Sequence, residues 1–265
     1  NDIIAKFGNN LVWFENTDGL GNFGAPNIIS TSGFYNITIG DVNNDNNIDI
    51  LTLSSNGSAW LENDGQGNFY KTDQMLPAGI PESTSTVSAC DFDQDGDMDL
   101  FVGVRLKTGL LGVPQNGYLL ENNGEGNFKN VTAEIAPELL NVGMVSDAVW
   151  SDYDQDGDKD LMILGEWMSI KLFNNENGKF KEVTKQVGLA ETSGWWNSLE
   201  AADLDSDGDI DFVAGNHGLN SRFKASIEQP ISCYINDFDN NGTVEQIICA
   251  YNGKQSYPLA LRHDL

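Results

Sequence analysis

The chain has 265 residues, 40 of them acidic and 14 basic, for a formal net charge of -26. Nucleic acids and anionic membrane surfaces are bound through Lys and Arg, so that balance argues against both as partners. No apolar run approaches the roughly 20 residues that would insert across a bilayer, two histidines give no convincing Ser-His-Asp arrangement, and three cysteines do not make a disulfide framework.

In chain order, Asp2 to Phe23 reads as the later part of a repeat. It ends in Leu11-Val-Trp-Phe-Glu-Asn-Thr-Asp-Gly-Leu-Gly-Asn-Phe23, where Asn and Gly between β-formers set a tight hairpin. A β-rich stretch, Tyr35 to Ile39, then leads into Asp41 to Asp49, DVNNDNNID. The apolar run Ile50-Leu51-Thr52-Leu53 follows, and a second Asn-Gly hairpin closes the unit at Ala59 to Phe69. The same order recurs. Asp91 to Asp99 (DFDQDGDMD) precedes Leu100-Phe101-Val102 and a hairpin at Leu119 to Phe128. Asp152 to Asp160 (DYDQDGDKD) precedes Leu161 to Leu164 and a decayed hairpin at Lys171 to Phe180. Asp203 to Asp211 (DLDSDGDID) precedes Phe212-Val213-Ala214, and Asp237 to Glu245 (DFDNNGTVE) lies near the end. Runs that are apolar at every position belong to strands covered on both faces. Steps of 50, 61, 51 and 34 residues between the loops mark a repeat architecture. The unit is therefore four antiparallel strands, and stacked radially such units make a β-propeller. Short turns are expected over Thr132 to Leu140 and Val183 to Leu189, and no longer helix.

The five loops hold 21 of the 40 acidic residues. Carboxylates at alternate positions offer oxygen alone, the donor set that calcium selects. The expected ligands are Asp41, Asn43, Asp45, Asn47 and Asp49; Asp91, Asp93, Asp95, Asp97 and Asp99; Asp152, Asp154, Asp156, Asp158 and Asp160; Asp203, Asp205, Asp207, Asp209 and Asp211; and Asp237, Asp239, Asn241, Thr243 and Glu245. Up to five structural Ca²⁺ ions would follow. Position 6 must turn sharply, which Gly96, Gly157, Gly208, Gly242 and Asn46 permit. An EF-hand is the nearest rival, but its twelfth position is a bidentate Glu, whereas here it is Thr52, Val102, Ile163, Ala214 or Ile248. Asn at positions 3 and 7 of the first loop, and at position 5 of the last, weakens those two. Cys233 and Cys249 flank the last loop four residues to either side, so a hairpin sets them opposite each other, bridged or as two small buried residues.

These loops and the E-N-x-G-x-G-N-F hairpins resemble FG-GAP/VCBS repeats, the Ca²⁺-loop blades also used in integrin α-subunit propellers. The resemblance covers essentially the whole chain. The end, Gly215-Asn-His-Gly-Leu-Asn220 through Tyr257-Pro258 and Arg262-His-Asp-Leu265, is similar to the repeat region of bacterial ASPIC/UnbV-type surface proteins. It implies a single all-β propeller domain over residues 1–265. Six blades are represented, some incomplete, in what reads as a fragment of a longer chain with seven.

Strand order puts the carboxylate loops and Asn-Gly turns at one face and the long insertions at the other: 73–86, 105–117, 136–145, 188–197 and 216–230. Long loops on a rigid scaffold carry function. Arg105, Trp167, Trp195, Trp196, His217 and Arg222 fall there, a set suited to a glycan or protein ligand; Trp13, Trp60 and Trp150 fall on strands and belong to the core. The reading is a calcium-stabilised binding or scaffold module, extracellular, at the cell surface or periplasmic, where calcium is abundant. The alternative is a carbohydrate-active lyase or hydrolase using Glu166, Glu200, His217 or Arg222.

Overall fold

The computed structural model describes residues 2–8, 10–30, 34–54, 57–72, 80, 84–107, 111–218 and 223–259. Nearly all regular structure in them is antiparallel strand. A first sheet holds β1 (Ile3–Phe7), β2 (Asn10–Phe14) and β3 (Asn27–Ser30). Two four-stranded sheets follow. One is β4 (Phe34–Gly40), β5 (Asp49–Ser54), β6 (Gly57–Asn63) and β7 (Phe69–Lys71); the other is β8 (Thr84–Cys90), β9 (Asp99–Val104), β10 (Gly117–Glu121) and β11 (Lys129–Asn130). The fourth repeat has β12 (Met144–Ser151), β13 (Asp160–Met168), β14 (Lys171–Asn175) and β15 (Phe180–Glu182). Its sheet is extended from β13 by β16 (Gly194–Ala202) and β17 (Asp211–Asn216). A last sheet holds β18 (Ser232–Asn236), β19 (Glu245–Asn252) and β20 (Gln255–Pro258). The expected turn after β11 contains one helical turn, α1 (Thr132–Ile135), and a 3₁₀ turn at Pro137–Leu139.

The uniform four-strand unit is corrected at the fifth repeat. Between β17 and β18 no Asn-Gly hairpin stands in the sequence; among the described residues β16 and β17 have no third and fourth strands of their own and join the preceding sheet through Glu166 opposite Trp195 and Met168 opposite Gly194. Cys233 pairs with Ile248 and Cys249 with Ser232. Adjacent positions on a strand point to opposite faces, so the two thiols lie on opposite sides of the hairpin; both are free.

The apolar runs of the third and fourth repeats become doubly covered strands, whereas Phe212-Val213-Ala214 on β17 does not, with Val213 52% exposed. All six residues of β9 are buried, as are eight of the nine in β13. The core lies between successive sheets. Val42, Leu51 and Trp60 of the second repeat pack with Val87, Leu100, Val102 and Leu120 of the third. Phe92, Phe101 and Leu119 of the third pack with Leu161, Ile163, Phe173 and Phe180 of the fourth. Trp150 joins that layer, stacked on Phe92 at 6.0 Å and edge-on to Phe180 at 5.9 Å. Polar side chains stitch the first strands together: Val87 N–H donates to Asn36 Oδ1, and the Asp147 carboxylate accepts from Thr86 Oγ1 and from Leu199 N–H.

Two of the Asn-Gly turns fit over an aromatic ring of the previous repeat, Gly67 over Trp13 and Gly126 over Trp60. A Cβ at Gly126 would stand 2.6 Å from the Trp60 ring, whereas one at Gly178, at nearly the same positive φ (+77 against +78), would meet only Asp93 Cβ at 3.5 Å. Gly178→Ala should therefore lose about 1–2 kcal/mol from backbone conformation alone. Gly126→Ala should lose a further ~1–3 kcal/mol from overpacking. Urea denaturation of the two variants checks this, and equal losses would contradict the ring contact.

Candidate metal loops and ligand face

Each loop is a cage of backbone N–H groups folded onto its odd-numbered side chains. The position 1 carboxylate accepts from the position 6 N–H in all five: Asn46 to Asp41, Gly96 to Asp91, Gly157 to Asp152, Gly208 to Asp203 and Gly242 to Asp237. Position 9 accepts from the position 2 N–H in all five: Val42 to Asp49, Phe92 to Asp99, Tyr153 to Asp160, Leu204 to Asp211 and Phe238 to Glu245. Position 6 has the expected positive φ throughout. Position 4 has it as well, at Asn44, Gln94, Gln155, Ser206 and Asn240. Sequence reading missed that second left-handed residue; the signal was a polar, unbranched residue in every copy.

Positions 1, 3 and 9 converge. One carboxylate oxygen from each of Asp91, Asp93 and Asp99 lies within 4.8 Å of the others, and the same holds for Asp152, Asp154 and Asp160, for Asp203, Asp205 and Asp211, and for Asp237, Asp239 and Glu245. The last loop thus gathers its carboxylates as the Asp-rich copies do. The first does not form such a trio among the described residues: Asn43 turns its amide nitrogen toward Asp45 and Glu62. Position 5 takes another role. Asp45, Asp95, Asp156, Asp207 and Asn241 each accept from the N–H at position 7, namely Asn47, Asp97, Asp158, Asp209 and Thr243.

The ninth residue also reaches beyond its loop. Asp49, Asp99 and Asp160 are essentially inaccessible, and their second oxygen accepts the N–H of the Asn that opens the Asn-Gly turn: Asn63, Asn122 and Asn175. Asp2 does the same for Asn16. Those Asn side chains then reach across the interface. Asn122 Nδ2 donates to Val42 O, and Asn175 Nδ2 to Phe92 O, both at position 2 of the preceding loop.

Burial sets the electrostatics. It pushes Asp99 up to about 8, against the Asn122 and Phe92 N–H groups that favour its charge. Burial likewise carries Asp160 to about 6. Asp97 also rises to about 6, from burial and then from repulsion by Asp95, Asp93 and Asp91. Asp49 shifts up by burial too; the Trp60 indole N–H, which makes no bond of ordinary geometry, still lies near enough to favour its ionised form. Asp97 is 7% exposed, and its Oδ1, like that of Asp91, is buried with no hydrogen-bond partner. Such orphaned carboxylate oxygens fit a hard divalent cation.

The rings gather at the opposite ends of the strands. Trp167 is seven residues from Asp160 along β13, about 23 Å at strand rise. Trp195 lies against Trp167 (5.6 Å), His217 (4.8 Å, stacked) and Phe223 (5.8 Å). Arg105 follows β9 and holds the buried Glu166 through Nε at 2.9 Å and Nη2 at 2.7 Å. Phe223 and Glu166 were not among the residues that sequence placed on a ligand face. Trp196 does not join the rings: it packs on the Met162, Leu164 and Leu199 core, and its N–H donates to Thr192 O. Arg222 lies outside the described residues, as do most of 73–86 and parts of 105–117 and 216–230. Glu200 is exposed, five residues beyond Trp195, so about 16 Å further along β16 from Glu166.

A carboxylate whose folded pKa lies above its unfolded value stabilises the fold most when protonated, and that contribution is lost as pH rises through the folded value. With metal chelated, the urea midpoint should fall as pH rises from about 5 to above 8. Asp99→Asn should flatten the upper part of that slope, and a midpoint rising over this range would refute the assignment.

The FG-GAP-like repeat family matches residues 41–102 and 152–214, and no curated protein matches the chain. Among solved structures, the chain is similar to that of an Agrocybe aegerita lectin, described as specifically recognising non-reducing terminal N-acetylglucosamine. Identity is 18%, the TM-score 0.49, and coverage 81% of this chain and 54% of the lectin. It is also similar to the V. cholerae biofilm matrix protein Bap1, with 15% identity, a TM-score of 0.40, and coverage of 94% of this chain and 34% of Bap1. The chain thus spans about half the length of the first and a third of the second. Two segments of the chain, 41–102 and 152–214, are FG-GAP-like repeats.

Proposed function

We propose that the chain is a calcium-stabilised, propeller-type module of an extracellular or cell-surface protein that binds a glycan or protein through the ends of its strands remote from the carboxylate loops. The propeller reading is supported by the first strands of successive repeats: β8 packs against both β4 and β12, and β12 against β16, as radial stacking requires. No helix among the described residues is long and apolar enough to cross a membrane.

The observation that carries the calcium assignment is the recurrence of the 1-3-9 carboxylate trio in four loops, with orphaned buried oxygens in the second. Asp91, Asp93 and Asp99 and their counterparts would hold the ion, which supplies the positive charge that their crowding otherwise lacks. Nothing in that role is catalytic: the trios sit at the turn ends of the strands, while the rings sit at the other. Extracellular placement follows from affinity, because loops of this kind fill where calcium is abundant.

Calorimetric titration should find four Ca²⁺ sites, with the first loop weaker or silent. At free Ca²⁺ a hundredfold above Kd each site adds about 2.7 kcal/mol, so EGTA should lower Tm substantially. Asp152→Asn with Asp154→Asn should remove one site, and Asp45→Asn should leave the count at four. An EGTA-insensitive Tm would overturn the reading.

A further inference from the structure

The ligand end carries more chemistry than a patch of aromatic rings. Trp167 has φ +61, a conformation that disfavours a bulky side chain. It sits at an irregularity in the β13–β16 pairing, where Glu166 faces Trp195 and Met168 faces Gly194. The bulge breaks strand alternation, so Trp167 lies half-exposed against Trp195 while its two neighbours stay buried. Strain held at an exposed aromatic points to use rather than to packing.

Charge narrows what the rings could hold. Arg105 is 44% exposed at its side chain, yet two of its donors already meet Glu166 Oε1; its Nη1 protons remain available, but its charge is compensated. The surrounding chain has 40 acidic residues against 14 basic, a field that repels anions. Rings whose centroids lie 4.8–6.0 Å apart pack on one another and enclose no space for a cation between them. What remains is an apolar stack beside fixed neutral-pair donors and acceptors, which suits a ligand with one C–H face and many hydroxyls.

Resting on the reading of this end as the ligand face, we propose that Trp167, Trp195, His217 and Phe223, with the Arg105–Glu166 pair, form a subsite for an uncharged sugar. Its C–H face packs on the open sides of the half-exposed rings and of His217, and its hydroxyls bond to the Arg105 guanidinium, which the buried Glu166 holds in place. No bond is made or broken; this is binding alone.

The test is titration of the whole chain in Ca²⁺ with neutral oligosaccharides and, in parallel, uronate- and sialate-bearing ones. Neutral glycans should bind with little salt dependence. Trp167→Gly should weaken binding at least tenfold while Tm stays level or rises, because glycine relieves the left-handed backbone; a purely structural tryptophan would not separate the two. Glu166→Gln, which leaves the Arg105 charge uncompensated, should admit acidic sugars that the parent rejects. Preference of the parent for acidic glycans, or neutral binding indifferent to Trp167→Gly and Trp195→Ala, would overturn the proposal. So would failure of every neutral glycan; if a protein partner were then lost with the same ring variants, the ligand face would stand and only its sugar would fall.

Discussion

A carboxylate sealed from water at the ninth position of the first three loops is the contact on which the repeat depends. One oxygen closes its own loop on the position 2 N–H, and in the first three complete repeats the other fixes the Asn that opens the next turn. A single side chain thereby holds the first two strands to the last two. Burying it is costly, and the upward pull on Asp99 and Asp160 measures that cost. Two N–H groups offset part of it. The cation proposed for the trio would offset more, and in that case folding and ion uptake are one process.

Much of this was legible from residue order. Alternating carboxylates with Gly at position 6, doubly apolar runs and Asn-Gly hairpins give strands, turns and their sequence without tertiary information. The double role of Asp99 was not legible, because its second partner, the Asn122 N–H, lies on another hairpin. Nor were the bonds that the Asn43 amide nitrogen makes to Asp45 and to Glu62 on the neighbouring hairpin. On the ligand side, Trp195 and Trp196 are indistinguishable as letters. Strand alternation sends one to the ring stack and the other into the Met162 and Leu199 layer.

The strands separate two kinds of chemistry. Hard oxygen donors crowd at one end, where backbone N–H groups orient them. Soft, polarisable rings and one compensated ion pair gather at the other, some 20 Å away at strand rise. The apolar layers between successive sheets keep that distance fixed, so the proposed ion acts on the ligand end only by stiffening the scaffold that carries it.

The Asn side chains that reach back to Val42 O and Phe92 O give the array a grain. The first and second loops are each finished by a group from the repeat that follows, while the third also receives Gln94 Nε2 from the repeat before, on Gly157 O and Asp158 Oδ1. Among the described residues the fifth repeat shows only β16 and β17 and contributes no such Asn, so the Tyr153 carbonyl receives no counterpart of the donor its two predecessors have. Unzipping of the module accordingly has a preferred origin at the third loop, Asp152 to Asp160, from which damage would pass to the earlier repeats.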